Sequence, residues 1–331
     1  MTEAPLVSVI LATFNGEAQL DEAVGSILAQ TYPRLELIIA DDGSNDATPR
    51  LAEAWARRDR RVRSLRLDHR GQAAAINVAV ADAHGEFIAR MDHDDLAHPD
   101  RIAAQVAWMS RHDLDVCGSW ARRFGDREGL LRPAIGHAAI ALELMFTCPI
   151  LDATVLMRGN VLRSTPYPEG VPMLDHALWN RLAPNYRLGN LPRVLFDYRS
   201  HPHQLTVTNA RQIRAYQRML RLQRFSTLFP RAPAADKALF HRMVVAADEP
   251  LDEDDLAEAG EFFLRYLASP DEEARRRMVR RWLLLCRRCV RQGARKSTIA
   301  SATAGRLRAA RRPTEAQNVS LVQPSKPGPR P

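Results

Sequence analysis

Cysteine is scarce in this chain, with four residues, Cys117, Cys148, Cys286 and Cys289, among 331. So few thiols do not make a disulfide scaffold, and they point to a reduced, cytoplasmic protein. Long apolar runs are missing as well. Nowhere do about 18 uncharged apolar residues follow one another, so no segment is expected to cross a bilayer. The residues ahead of the first apolar run, Met1 to Leu6, include Glu3 and no hydrophobic block, so a signal peptide is not expected. Acidic residues are absent between Arg275 and Arg312, a stretch that holds 14 Lys and Arg. The formal net charge of +8 belongs to that stretch, and the remainder of the chain has more Asp and Glu than Lys and Arg. Overall basicity is therefore no argument for a nucleic-acid partner, and none is expected.

What is present is ample material for a core, with 46% hydrophobic and 26% charged residues. Residues 7–12 (VSVILA), 35–40 (LELIIA), 62–67 and 87–91 are short and apolar, as buried strands are. Between them 17–29, 48–56 and 71–83 read as helices; the first carries Leu20, Ala23, Val24, Ile27 and Leu28 at helical spacing. Strand and helix alternate in units of about 30 residues, which implies βαβ units and a parallel sheet. Ligands of such sheets bind beyond the carboxyl ends of the strands. Thr13-Phe14-Asn15, Asp41-Asp42 and Asp92-His93-Asp94 all stand at such ends, so three distant segments are expected to meet at one crevice. From 98 to 204 the pattern is less regular, with helices at 99–111 and 173–182 and strands at 116–120, 154–157 and 193–198. Further helices are expected at 209–228, 234–247, 252–268 and 272–291, and a disordered, proline-rich tail at 313–331.

Asp92 and Asp94, one residue apart at the end of an apolar strand, can turn both carboxylates toward one hard cation, Mg²⁺ or Mn²⁺. The same residues also suit a plain turn with a helix cap. His93 has no Cys or His partner at zinc spacing. Asp41-Asp42-Gly43-Ser44 allows a similar pair of readings: a turn and cap, or a carboxylate accepting from a nucleobase imide N–H or a ribose hydroxyl.

The series VSVILATFNGE, Gln30-Thr31-Tyr32-Pro33, LELIIADDGSNDAT, GQAAAIN (71–77) and GEFIARMDHDD (85–95) resembles the family 2 glycosyltransferases of the GT-A fold. The resemblance covers about residues 5 to 110 in order, and 147–203 is similar to the family's later half. It implies an α/β fold with a mostly parallel sheet flanked by helices, followed here by a helical appendage. The domain boundaries it suggests are 1–207 for the catalytic domain, with a nucleotide-binding half (1–110) and an acceptor half (111–207), and 208–312 for the basic helical region. It further implies transfer, with inversion, from a nucleotide-diphosphate sugar, UDP-linked above all, to a glycan or lipid-linked glycan hydroxyl in polysaccharide or glycolipid assembly. Ala12, Phe14, Asp41, Asp42 and Asp92 match the family's nucleotide-holding positions; Phe14 stands where Tyr is common. Asp92 and Asp94 match its DxD motif, with Asp94 the direct ligand of Mg²⁺ or Mn²⁺. Asp175, in Leu174-Asp175-His176-Ala177-Leu178-Trp179-Asn180-Arg181, matches the catalytic base, and Leu174 replaces the usual Glu. Tyr198-Arg199-Ser200-His201 resembles a closing segment near the metal and diphosphate, although His201 also reads as a surface loop residue.

Two rival readings remain at this level: a sugar nucleotidyltransferase, and a non-catalytic scaffold for glycan assembly. The first normally has a basic, Gly-rich phosphate loop, and Thr13-Phe14-Asn15-Gly16-Glu17 has no Lys or Arg. In 272–291, Met278, Trp282, Leu285 and Cys289 share one helical face, widened by Val279, Leu283, Cys286 and Val290, and arginines fill the rest. Such a helix either packs its apolar stripe on protein or lies on an anionic membrane as a peripheral contact. The Cys286/Cys289 pair has no second pair with which to bind metal.

Overall fold

Strand β1 (Val7–Thr13) is buried along its whole length, a consequence of seven consecutive small or apolar side chains with both faces covered. It pairs in parallel with β2 (Leu35–Asp41) on one side and β4 (Phe87–Asp92) on the other, and β2 pairs in parallel with β3 (Val62–Arg66). Helices α1 (Leu20–Leu28), α2 (Thr48–Arg58) and α3 (Gln72–Asp82) make the crossovers. In α3 the buried residues are Ala73, Ala74, Ala75, Ile76, Ala79 and Val80, and side chains this small let the helix lie close to β1 and β2. Gly71, at the helix N-cap, has φ +95°, a conformation that side chains with a Cβ rarely adopt.

The computed structural model describes residues 3–202, 210–245, 251, 253–266 and 271–291. The tail at 313–331 and the side chains of Cys289 and Val290 lie outside them. Beyond β4 follow β5 (Leu96–Ala97), α4 (Arg101–His112), β6 (Val116–Gly125), β7 (Gly129–Leu131), α5 (His137–Glu143), a 3₁₀ turn at Asp152–Thr154, β8 (Leu156–Arg158), α6 (Gly159–Ser164), α7 (Leu174–Leu182) and β9 (Leu188–Ser200). Among the described residues nine strands form one sheet in the order β3-β2-β1-β4-β8-β6-β9-β5, with β7 on β6. The parallel half ends at β4, where β8 joins it antiparallel. Strand β9 is longer than its apolar centre predicts. Its register against β6 steps from Ser119–Leu191 to Trp120–Val194, which leaves Pro192 and Arg193 as a bulge where proline's missing N–H does no harm.

The chain divides into two units, Met1–Ile135 with Pro149–Ile213, and Gly136–Cys148 with Arg214–Pro331. The first holds the sheet. The second is helical, with α5, α8 (Ala210–Leu228), α9 (Ala234–Val245), α10 (Glu253–Tyr266) and α11 (Glu272–Arg291). Its core is aromatic, with Phe225 stacked on Phe240 and Phe263 set against Trp282. Helix α11 buries Ala274, Met278, Trp282, Leu285 and Cys286, so its apolar stripe packs inside this unit. Arg281 and Arg277 reach the buried Glu143 of α5 from the same helix. The opposite face of α11, with Arg276, Arg280, Leu283, Leu284 and Arg287, is exposed. Among the described residues no helix is long and apolar enough to cross a membrane.

Candidate active site

The register of the parallel strands sets the first part of the site. Thr13 faces Asp41 across β1 and β2, and Ala12 faces both Ala40 and Asp92. The three sequence-predicted clusters therefore start from one row at the carboxyl edge. The loops after β1 and β2 are tied together. Asn15, with φ +51°, receives the Asn45 N–H on Oδ1 at 3.0 Å and donates its own N–H to Ser44 Oγ at 2.8 Å; Gly16 N–H donates to Thr48 Oγ1 at 2.8 Å. Asp41 is almost wholly buried. Its Oδ1 accepts the Ser44 N–H at 3.1 Å, whereas Oδ2 and the neighbouring Thr13 Oγ1 have no hydrogen-bond partner among the described residues. Buried polar atoms are rarely left so, because each costs about 1–3 kcal/mol, and an incoming N–H or O–H removes that cost.

Asp42 is committed differently. Its carboxylate accepts the Arg70 and Gly71 N–H groups at 2.9 Å each and meets His69 Nδ1 at 2.9 Å, so it clamps the loop that leads into α3. His69 in turn stacks on Phe14, with ring centroids 4.2 Å apart at 24°. Phe14 remains 40% exposed, enough apolar ring to carry a planar ligand.

Asp92 ends β4. Its Oδ1 accepts from Arg90 Nη2 at 3.0 Å and from Gln72 Nε2 of α3 at 3.2 Å. Burial raises the Asp92 pKa, Arg90 opposes the rise and Asp94 adds to it. Two residues on, Asp94 Oδ2 meets His201 Nε2 at 2.9 Å, and Arg199 Nε donates to the Asp94 carbonyl at 2.7 Å. His201 is thus partly buried against Asp94 rather than standing clear in a loop. Asp95, behind them, is held by the Arg199 N–H at 2.7 Å; burial, then the charges of Asp94 and Asp92, push its pKa well up. A divalent ion held at about 2.1 Å places neighbouring ligand atoms about 3 Å apart, and oxygen with imidazole nitrogen is a fitting donor set for Mn²⁺. Asp94 and His201 meet that spacing. Among the described residues no three His, Cys, Asp or Glu side chains form a ready-made metal cage, so further ligands have to come from water or substrate.

Asp175 lies in the first turn of α7, where the helix dipole favours a carboxylate. The helix is anchored by His176, Ala177, Leu178, Trp179 and Leu182, all buried, which leaves Asp175 half-exposed. Its negative charge bears on two buried groups. Asp152 has a pKa pushed up to about 6, first by burial, against the pull of Arg90, with the negative charges of Asp175 and Asp92 adding to the rise. Tyr167 is pushed well up by burial and Asp152, and again Asp175 contributes. Asp152 Oδ2 accepts from Arg90 Nε at 3.2 Å. The charges of Asp175 and Asp92 thus both add to the rise at the buried Asp152.

Sequence reasoning passed over Arg90, Asp152, Tyr167 and His69. Arg90 left a signal: it is a charged residue inside the otherwise apolar FIARM strand, at a position that alternation turns into protein. Asp152 and Tyr167 left none, since an isolated Asp or Tyr in an irregular segment has no periodic context.

A family model described as glycosyl transferase family 2 matches residues 8–158. A Haemophilus influenzae protein called an uncharacterized glycosyltransferase is 31% identical over 225 residues, covering 62% of this chain and 68% of the relative. Among solved structures, S. aureus TarS 1–349 in complex with UDP-GlcNAc superposes with a TM-score of 0.60 at 18% identity, covering 88% of this chain and 93% of that one. The mannosyltransferase PcManGT from Pyrobaculum calidifontis, in complex with GDP-Man and Mn²⁺, gives 0.54 at 20% identity over 94% of this chain and 87% of that one.

Proposed function

This chain belongs to the family 2 glycosyltransferases, and from that premise we propose that it transfers a sugar from a nucleotide-diphosphate sugar, UDP-linked, to the hydroxyl of a glycan or lipid-linked glycan, with inversion at the anomeric carbon. The observation that carries the proposal is the strand register, which ends β1, β2 and β4 on one row with Thr13, Asp41 and Asp92; the charges of both Asp175 and Asp92 on Asp152 support a base beside that row.

In this reading Phe14 stacks on the nucleobase, and the buried Asp41 Oδ2 accepts its imide N–H. Ala12 and Asp92 line the strand end where the ribose and diphosphate lie. Asp94 and His201 would hold Mg²⁺ or Mn²⁺, which would supply positive charge to neutralise a departing diphosphate. The acceptor hydroxyl has a pKa far above neutrality, so its attack needs a base. Asp175 takes the hydroxyl proton as the oxygen bonds to the anomeric carbon. The bond from that carbon to the diphosphate oxygen breaks, and its electron pair leaves with the nucleotide. One displacement from the opposite face inverts the centre. One structure of TarS contains UDP-GlcNAc and that of the mannosyltransferase contains GDP-Man, which supports a nucleotide-sugar donor. The exposed face of α11, three arginines around Leu283 and Leu284, suits peripheral contact with an anionic membrane surface, where a lipid-linked acceptor resides.

The test is nucleotide release from a panel of UDP- and GDP-sugars, with and without Mn²⁺. UDP release that depends on the metal is expected. No release from any donor, with nucleotide still bound, would favour the scaffold reading instead.

A further inference from the structure

Two motifs are left unexplained by the proposed chemistry: the Arg of FIARMD and the Gln and Asn that bracket GQAAAIN. The structure links them. Gln72, at the start of α3, donates to Asp92 Oδ1 at 3.2 Å. Five residues later on the same helix, Asn77 forms a two-way clasp with the backbone of Tyr167: Tyr167 N–H donates to Asn77 Oδ1, and Asn77 Nδ2 donates to the Tyr167 carbonyl, both at 2.9 Å. The Tyr167 hydroxyl donates to Asp152 Oδ1 at 2.5 Å. Asp152 Oδ2 accepts from Arg90 Nε at 3.2 Å, and Arg90 Nη2 returns to Asp92 Oδ1 at 3.0 Å. The circuit closes on the oxygen from which it began.

Each member is built rather than incidental. Arg90 has no exposed surface, and its remaining donor, Nη1, goes to the carbonyls of Ile10 at 2.9 Å and Met91 at 3.2 Å. Its guanidinium also lies over the Tyr167 ring, 5.9 Å from the centroid. Tyr167 is 2% exposed. Desolvated polar groups of this kind are stable only when fully partnered, and a closed set of partners has one low-energy arrangement. Asp175 is not a member, but Tyr167 stands eight residues before it on the segment that leads into α7, and the charge of Asp175 adds to the raised pKa of both Asp152 and Tyr167.

We propose that Asp152 and Tyr167 are positioning residues for the transfer: together with Arg90, Asn77 and Gln72 they lock the strand end carrying Asp92 to the segment that leads into α7 and Asp175, and so fix the separation between the donor and the carboxylate that takes the acceptor proton. This role rests on the reading of Asp175 as base. Misplacement of a reacting group by about 1 Å can cost on the order of 100-fold in rate, so loosening the lock should lower turnover far more than donor binding.

The experiment is a double-mutant cycle on the full chain, read as hydrolysis of the UDP- or GDP-sugar that wild type turns over fastest, with Mn²⁺ present and water as acceptor. Asp152→Asn is expected to lower kcat about 10- to 100-fold while KM for the donor stays within about threefold. In an Asp175→Asn background the same change should add less than about a threefold further loss, because a residue that acts through Asp175 has nothing left to position. Losses that multiply in the double variant would overturn the positioning role while leaving the base assignment intact. Full turnover by Asp175→Asn alone would overturn the base assignment and this role with it. Should Asp152→Asn fail to fold, Tyr167→Phe, which removes one hydroxyl, takes its place in the cycle; it is expected to lower kcat roughly 3- to 10-fold with the same non-additivity, and wild-type kcat in that variant would count against the proposal.

Discussion

Arg90 and Asp152 meet at 3.2 Å although 62 residues separate them, and the guanidinium has no surface in contact with solvent. Burial by itself lowers the Arg90 pKa, but the fields of Asp152 and then Asp92 outweigh it and leave the pKa raised, so the side chain stays charged. For Asp152 the balance goes the other way, and its pKa rises from 3.8 to about 6. The folded state thus holds the Asp152 proton more tightly than the unfolded chain does. Its stabilising contribution is complete below about pH 4 and is lost as pH rises through about 6, an effect of at most about 3 kcal/mol. The melting temperature of wild type relative to Asp152→Asn should therefore fall between pH 4 and pH 7. Calorimetry across that range checks it, and a difference independent of pH would contradict the raised pKa.

Asp175→Asn is expected to lower turnover by roughly 10²- to 10⁴-fold while leaving nucleotide affinity nearly unchanged. The checks are nucleotide release for the first quantity and titration calorimetry with UDP for the second. Near-wild-type turnover rules the residue out as base.

Asp94→Ala removes one of the two side chains spaced for a cation, and it leaves His201 without its 2.9 Å partner. Affinity for UDP measured with Mn²⁺ should drop about 10- to 100-fold, whereas affinity without metal should change little. Equal affinities of variant and wild type in Mn²⁺ would refute the metal role.

Phe14→Ala should weaken UDP binding by roughly tenfold, the order of one lost base–aromatic stack. The change should be smaller for Phe14→Tyr, which keeps the ring and adds a hydroxyl. An alanine variant that binds UDP as tightly as wild type would place the base elsewhere.

The 331-residue protein should float with vesicles of phosphatidylcholine containing about one quarter phosphatidylglycerol and stay behind with phosphatidylcholine alone. Replacing both Leu283 and Leu284 by serine, or Arg280 and Arg287 by glutamate, should abolish flotation without lowering the melting temperature, since all four side chains are exposed. Failure of wild type to float with either vesicle removes the membrane contact from the reading.

Strands β1 to β4 and their helices were legible because each carries a periodic signal and stands in a regular alternation. Residues 7–12 predict a strand, and the structure has one at Val7–Thr13; the expected helix at 71–83 is Gln72–Asp82. The conjunction of Asp41 and Asp92 also follows from topology, since parallel strands end on the same side. Short elements escaped. Two-residue β5 and the 3₁₀ turn at Asp152–Thr154 are defined by what packs on them, and local sequence does not encode that. Apolar periodicity identified the stripe of α11 but not its destination, because a stripe that packs on protein and one that lies on lipid have the same composition. Asp42 shows a further limit: the DDGS turn pairs two adjacent carboxylates, and only the coordinates separate the one with an open oxygen from the one clamping the loop at Arg70 and Gly71.

The register of β9 has a consequence for length. While β6 advances from Ser119 to Arg122, β9 advances from Leu191 to Asp197, so its two irregularities, at Pro192 and Arg193 and again between Val194 and Asp197, give it three residues more than its partner. Side chains alternate along a strand, so loss of any one residue here would exchange the sides of those that follow, Arg199 among them, and draw the strand back by about one step, roughly 3 Å, from Asp94 and Asp95. That makes Leu191 to Asp197 among the least tolerant stretches of the chain for insertion or deletion.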